Sequence, residues 1–357
     1  MPGSIDTMRA AVYRGTDDVR VESLQVPALG NGEVLVRIHS CGVCGTDLKK
    51  IHYGLQKPPR VYGHEMAGTI AQVGDGVTGW DVGDRVAVVH HVPCMDTEAC
   101  YQCRLGEYSR CPLYLKTGTT AGFKPAGGGY AEYIRVMDFV VRRGMIRLPD
   151  DVTFEESTFI EPVNTVLKAV YKSGAAPGKS ALVIGQGQIG LLFTQLLAWR
   201  GATVYGSDPL EYRRERSLAF GARDAFDPGT QDIAAELRLR TEGRGVDIAI
   251  VAVATTQVVP EAFAAVRDGG KVLLFAQTRL GDTMPVDAGA ICMLEKDLIG
   301  SYSSDPNLQQ PSADLIFSRT INVRDLITHR FRLDDIQTAF DVASSLRENS
   351  LKVLVDL

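Results

Sequence analysis

The sequence has no long apolar run. Its apolar stretches, such as Ala181-Leu182-Val183-Ile184, are strand-sized, far short of the roughly 20 residues that a membrane-spanning helix needs. A basic stripe is also missing, and a net charge of -5 gives no footprint for a polyanion partner, so nucleic-acid binding is not expected. The stretch from Met1 to Arg20 lacks an apolar core, so no secretory signal is expected and the chain reads as cytoplasmic. Internal repeats and low-complexity tracts are absent, which excludes solenoids and long disordered tails. What remains is the ordinary balance of a globular protein, 45% apolar and 23% charged over 357 residues, a length that suggests two domains or one large one.

Seven cysteines in such a chain do not read as a disulfide framework. Four of them, Cys94, Cys100, Cys103 and Cys111, fall within 18 residues. That clustering is a metal signature.

Met8 to Tyr13 alternates like a first strand, and the seven residues before it read as a loose extension. Up to about residue 157 the sequence is rich in short valine runs broken by Gly and Asp: Val34 to Ile38, Gly68 to Val73, Asp84 to Val89. Such runs predict a mostly β, partly barrel-like domain. From Ser180 the pattern changes to strand, glycine turn, helix. Expected elements are strands over Ser180 to Ile184 and Ala202 to Ser207, and helices over Ile189 to Trp199 and Leu210 to Phe220. Further strands are expected over Val246 to Val253 and Lys271 to Phe275. Near-continuous apolar strands joined by helices predict a doubly wound parallel sheet, an α/β domain. The tail, with a helix near Leu333 to Phe340 and a strand over Lys352 to Leu357, is expected to return to the first domain.

Gly185-Gln186-Gly187-Gln188-Ile189-Gly190 fits G-x-G-x-x-G directly after a strand and at the start of a helix. The first Gly permits a tight turn and the second lets backbone approach a pyrophosphate. The third lets helix and strand pack closely, and unsatisfied helix N–H groups face the phosphates. Asp208 ends the next strand, 18 residues after Gly190. It can accept hydrogen bonds from the adenosine ribose and repel a 2′-phosphate, or it can simply cap the following helix. NAD is therefore expected over NADP, with Arg213 and Arg214 close enough to soften that preference.

Three separated segments carry further chemistry: Cys41-Gly42-Val43-Cys44-Gly45-Thr46-Asp47, Gly63-His64-Glu65, and Glu161-Pro162. With the four-cysteine cluster and the downstream nucleotide motif, they make the chain, from Met8 to Leu357, resemble the zinc-containing medium-chain alcohol dehydrogenases. Glu161-Pro162 stands where many alcohol dehydrogenases carry a cysteine ligand, so the chain is similar to the sorbitol and threonine dehydrogenase branch. The resemblance implies a GroES-like domain (1–157, completed by 301–357) and a Rossmann domain (158–300), with NAD and substrate in the cleft between them. It also implies a homodimer or homotetramer.

Carried over residue by residue, the resemblance makes Cys44 and His64 ligands of a catalytic zinc. Glu65 is a ligand or a partner behind one, and Glu161 is a third protein ligand or binds through water. Catalytic zinc takes three protein groups and leaves one position open, where it acts as a Lewis acid on the substrate oxygen. Thr46 resembles the hydroxyl that takes the alcohol proton, and Asp47 the carboxylate behind the metal. Many relatives carry a His three residues after the Thr46 position; here it is Lys49, with His52 a possible substitute. Cys41 reads as a core cysteine. The four-cysteine cluster resembles a structural-zinc lobe, with a first gap of five residues where the family has two. The segment Gly127 to Tyr133 resembles a glycine-led strand near the substrate. Tyr53, Phe123, Asn164 and Lys168 are pocket candidates. The implied activity is NAD-dependent oxidation of a secondary alcohol on a polyol, sugar or cyclitol. A threonine-type amino-alcohol oxidation, or a catalytically silent NAD-binding protein, are the alternatives.

Overall fold

A computed structural model describes residues 6–114, 116–276, 278–345 and 349–357. The chain forms two compact units. One comprises Met1–Pro162, Asp305–Arg319 and Val323–Leu357, the other Val163–Ser304 and Thr320–Asn322.

Valine-rich alternation organises the first unit. Its larger sheet runs in the order Ile327–Arg332, Lys352–Asp356, Val34–Gly42, Glu65–Val73, Arg85–Val89, Met145–Arg147, with Tyr133–Val136 also pairing with Val34–Gly42. A smaller sheet pairs Thr7–Gly15 with Asp18–Gln25 and Arg60–Val61. The strand that begins at Thr7 is longer than the Met8 to Tyr13 alternation suggested; most of the expected N-terminal extension, residues 1–5, lies outside the described residues. Val34, Val36, Ile38, Ile70, Val86, Val88, Val353 and Val355 share one buried core, and this burial is the main source of the unit's stability. Two registers matter for function. Gly42 lies opposite Glu65 on one side and opposite Leu354 on the other, so Glu65 and Lys352 flank the same central strand.

The second unit is a six-stranded parallel sheet in the order Ala222–Phe226, Thr203–Ser207, Ser180–Ile184, Val246–Val251, Val266–Leu274, Asp297–Gly300. Numbered along the chain this is 3-2-1-4-5-6, the Rossmann order. The helices Gln188–Trp199 and Glu211–Ala219 supply the first crossovers. The strand expected from Lys271 begins earlier, at Val266, because a register shift against Val246–Val251 carries it through Gly269 and Gly270. Among the described residues no helix is long and apolar enough to cross a membrane.

Candidate active site and nucleotide loop

The residues expected at the metal converge within the first unit. Cys44 caps the helix Gly45–His52, its sulfur accepting from the Thr46 N–H at 3.4 Å. His64 and Glu65 sit at the start of the strand Glu65–Val73, both buried. One ligand atom each from Cys44, His64 and Glu65 falls within 4.8 Å of the others. Asp47, 1% exposed, stands behind His64: its Oδ2 lies 3.0 Å from His64 Nδ1. It also accepts from the Gly63 N–H at 3.1 Å and from the Tyr130 hydroxyl at 3.4 Å. A proton on Nδ1, held by Asp47, leaves Nε2 as the donor, the usual arrangement behind a metal-bound imidazole.

The charges around this point are predominantly acidic. Burial alone would raise the Asp47 pKa, but the His64 charge and hydrogen bond override it and hold the carboxylate below its ordinary value. Burial would likewise lower His64, yet Asp47 and Cys44 push it well above the ordinary imidazole value. Glu161, in the first turn of the helix Ile160–Ser173, is raised to about 7, chiefly by burial and then by the neighbouring carboxylates against the pull of His64 and Lys352. It is not one of the three groups that converge within 4.8 Å.

Two features here were not anticipated from sequence. Lys352, fully buried on the last strand, donates its Nζ to Glu65 Oε2 and, at 3.2 Å, to the Val43 carbonyl. A Cβ on Gly42 would lie 2.6 Å from Lys352 Cε and closer still to Glu65, so this ion pair requires glycine there. The signal was a lysine opening the terminal strand Lys352–Asp356, directly before its apolar Val353 to Val355. The second is His90-His91. The His90 ring centroid is 5.0 Å from that of His64 and 3.7 Å from that of His91. Burial, then neighbouring positive charge, pushes both below the ordinary value, His91 to about 3.

Other candidates are placed differently from expectation. His52 is 65% exposed and pairs with Asp17 at 3.1 Å, on the surface and outside any buried relay. Lys49 is half-buried, and burial lowers its pKa. Tyr130 is buried, and its strand-leading segment supports Asp47 from behind. Tyr53 is 53% exposed, Phe123 packs on the first unit's core, and Asn164 is 1% exposed. Lys168 donates to the Tyr302 carbonyl at 3.0 Å.

Cys94, Cys100, Cys103 and Cys111 also converge within 4.8 Å, with Cys94 and Cys103 sulfurs 3.5 Å apart. The longer first gap bulges outward. Met95 takes a left-handed φ of 58°, Asp96 Oδ1 accepts from the N–H groups of Glu98 and Ala99, and the Cys100 N–H closes the turn on the Asp96 carbonyl. Residues 96–99 are exposed. Four cysteine sulfurs gathered this closely are a donor set that suits a structural zinc.

In the second unit the loop Gly185 to Gly190 sits where strand becomes helix. Gly187 caps the helix, and Gln188 and Ile189 are its first residues. A Cβ on Gly190 would lie 1.8 Å from the Gly185 carbonyl oxygen, so only glycine permits this close packing. Asp208, 3% exposed, accepts from the Gln186 N–H at 2.7 Å and the Leu210 N–H at 2.9 Å. It therefore caps the following turn and also ties the strand end to the glycine loop. Arg213 Nη1 lies 3.7 Å from Asp208 Oδ2 and 3.5 Å from where a Gly187 Cβ would stand, beside the loop where phosphates would bind.

Residues 30–149 match the alcohol dehydrogenase GroES-like domain family and residues 189–318 the zinc-binding dehydrogenase family. A sorbitol dehydrogenase of Bacillus subtilis is 30% identical over 98% of this chain and 97% of its own. The crystal structure of galactitol-1-phosphate dehydrogenase from Escherichia coli has a TM-score of 0.85 at 28% identity, covering 98% of this chain and 100% of that one. A zinc-binding dehydrogenase of Sinorhizobium meliloti, solved bound to NADP, has a TM-score of 0.88 at 26% identity, covering 98% and 99%. With both of its units matched in order and a curated relative aligned along nearly its whole length, the chain belongs to the zinc-dependent medium-chain alcohol dehydrogenases, in their sorbitol dehydrogenase-like branch.

Proposed function

We propose that this chain oxidises a secondary alcohol of a polyol, sugar or cyclitol to the ketone, using zinc and NAD. The observation that carries the reading is the convergence of Cys44, His64 and Glu65 with Asp47 behind the imidazole. A thiolate, an oriented imidazole and an oxygen donor are a donor set that suits zinc. The excess of acidic groups around His64 and Lys352 leaves room for a divalent cation. The residues fit the metal: Cys44 and His64 would hold it, with an oxygen ligand from Glu161 or Glu65. Lys352 already neutralises Glu65, which favours Glu161 as the exchangeable ligand. Zinc bound there supplies Lewis acidity to the substrate oxygen.

The chain's own groups do the rest. Thr46, half-buried beside Cys44, would take the alcohol proton. Asp47 fixes the imidazole. The Gly185 to Gly190 loop offers helix N–H groups to the pyrophosphate, and Arg213 adds a cation beside it. The negative charge of Asp208, buried and already bonded to the Gln186 and Leu210 N–H groups, disfavours a 2′-phosphate nearby and so favours NAD over NADP. The four-cysteine lobe would hold a second, structural zinc. The sorbitol and galactitol-1-phosphate names of the relatives support a polyhydroxylated substrate, and a homo-oligomer is proposed from the resemblance.

The test is a screen of polyols, sugars, cyclitols and amino alcohols with NAD and NADP, alongside elemental analysis. Two zinc ions per chain are expected, with reduction of NAD faster than NADP. Vicinal diols should turn over far better than simple alcohols of equal carbon number. Equal specificity constants for 2-butanol and 2,3-butanediol, with every polyol inert, would leave a simple secondary alcohol dehydrogenase. Turnover confined to amino alcohols would select the threonine-type alternative.

A further inference from the structure

Between the two cysteine-bearing sites of the first unit stands a column of rings. Tyr114, 2% exposed, packs within the cluster formed by Cys100, Cys103 and Cys111. Its ring meets His91 edge-on at 3.9 Å between centroids. His91 meets His90 at 3.7 Å, and His90 meets His64 at 5.0 Å. The Nδ1 atoms of His90 and His91 are buried and have no hydrogen-bond partner. Polar atoms are seldom buried unpaired without reason. With Nδ1 left over on both rings, the imidazoles meet their neighbours here chiefly as packing surfaces.

His64 needs such support. Asp47 fixes its Nδ1 end and Cys44 bonds it from the side of the metal site, but hydrogen bonds in the ring plane leave the ring free to rock about that line. A second ring packed against it, here His90 at an interplanar angle of 46°, limits that freedom. We propose that the four-cysteine lobe positions His64 through the column Tyr114–His91–His90, so that His90 and His91 are positioning residues for the Cys44–His64 metal site. This rests on the metal-site reading of the proposed function. It goes beyond that reading in making the structural lobe a part of the catalytic site's support. Loosening the lobe, by removing its metal or its aromatic contact, then loosens the imidazole that holds the other metal.

The experiment follows zinc release from the full-length zinc-loaded protein to a chromogenic chelator. Release from the catalytic site is read by loss of turnover, and release from the lobe by reactivity of its thiols. His91→Ala should speed catalytic-site release about tenfold while the lobe thiols stay protected. His91→Phe, which keeps a ring and removes the nitrogens, should stay within about twofold of the parent. Cobalt substituted at the catalytic site should give an altered visible spectrum in His91→Ala and a parental one in His91→Phe. Tyr114→Leu, which keeps the lobe apolar and removes the ring, repeats the comparison should His91→Ala fail to fold. Parental release rates in both ring-removing variants would overturn the proposal. So would a His91→Phe variant as labile as His91→Ala, since nitrogen chemistry and not packing would then be at work. A parent protein in which no zinc release affects turnover would instead overturn the metal-site reading itself.

Discussion

Asp47 shows how much of a site can rest on one carboxylate that touches no substrate. It is almost wholly buried, and it gathers His64 Nδ1, the Gly63 N–H and the Tyr130 hydroxyl on the same oxygen, with Lys50 at 3.8 Å on the other. Its ionised form is held by those partners against the cost of burial. Asp47→Asn keeps the shape but offers one fewer acceptor and no charge, so the imidazole loses both its fixed tautomer and part of its basicity. Zinc affinity or turnover should fall about 10- to 100-fold, measured by chelator competition and by kcat/KM. A variant that holds zinc and turns over as the parent does would show that Asp47 is only a core acid. Lys352 illustrates the opposite case, a residue whose role sequence could not announce. Its partner Glu65 is 287 positions away, and no local pattern links a terminal-strand lysine to a carboxylate at the start of another strand.

At the scale of elements, the short helix Phe154–Ser157 prepares the approach to Glu161. Thr153 and Glu156 form a reciprocal capping box, satisfying N–H groups that a helix start leaves without partners. Glu156, buried, also receives Arg324 at 2.6 Å. Thr153→Ala should cost about 1 kcal/mol, and Glu156→Ala more, because the Thr153 N–H and hydroxyl lose their carboxylate acceptor and the Arg324 contact goes with it. Burial pushes the Glu156 pKa up, but Arg324 and the Thr153 bonds outweigh it and leave it below the ordinary value. A depressed carboxylate stabilises above its unfolded pKa of about 4.3 and ceases to do so as pH falls through the folded value. The stability gap between parent and Glu156→Ala should therefore be full at neutral pH and shrink in acid below about pH 4. Urea midpoints at pH 7 and pH 3.5 would measure it, and a gap that is constant or widens in acid would remove the ionic contribution.

Elements with strong periodicity were legible from sequence: the strand Ser180–Ile184, the glycine loop and the helix after it lie within a residue of their expected bounds. The strand Val266–Leu274 was half hidden, because Arg267, Asp268, Gly269 and Gly270 break the apolar pattern where the strand shifts register. The convergence of Cys44 with His64 and Glu65, and of the four cysteines, was legible because these residues fall in short segments. The His90-His91 column was not, since ring packing depends on distances no spacing encodes.

On the scale of the whole molecule, the residues proposed for the two chemistries are divided between the two units. Cys44, His64, Glu65, Glu161 and the four-cysteine lobe all belong to the unit that contains Met1–Pro162, whereas Gly185 to Gly190, Asp208 and Arg213 belong to Val163–Ser304. Each proposed set of residues comes from one unit, and each unit has its own buried core. Damage to one should therefore leave the other able to bind. Cys44→Ser or His64→Ala should abolish turnover and lower the zinc content toward one per chain, with the dissociation constant for NADH unchanged within about twofold. Gly190→Val is the reciprocal change. Its side chain cannot fit beside the Gly185 carbonyl, where even a Cβ would stand at 1.8 Å, so the loop must open and NADH binding should be lost. The zinc content should stay at two and the lobe thiols should stay protected. Fluorescence titration of NADH and metal analysis on the same preparations give both readouts at once. If Cys44→Ser lost NADH binding while Gly190→Val lost zinc, the two sites would be one cooperative structure, and the division of labour argued from the unit boundaries would be wrong.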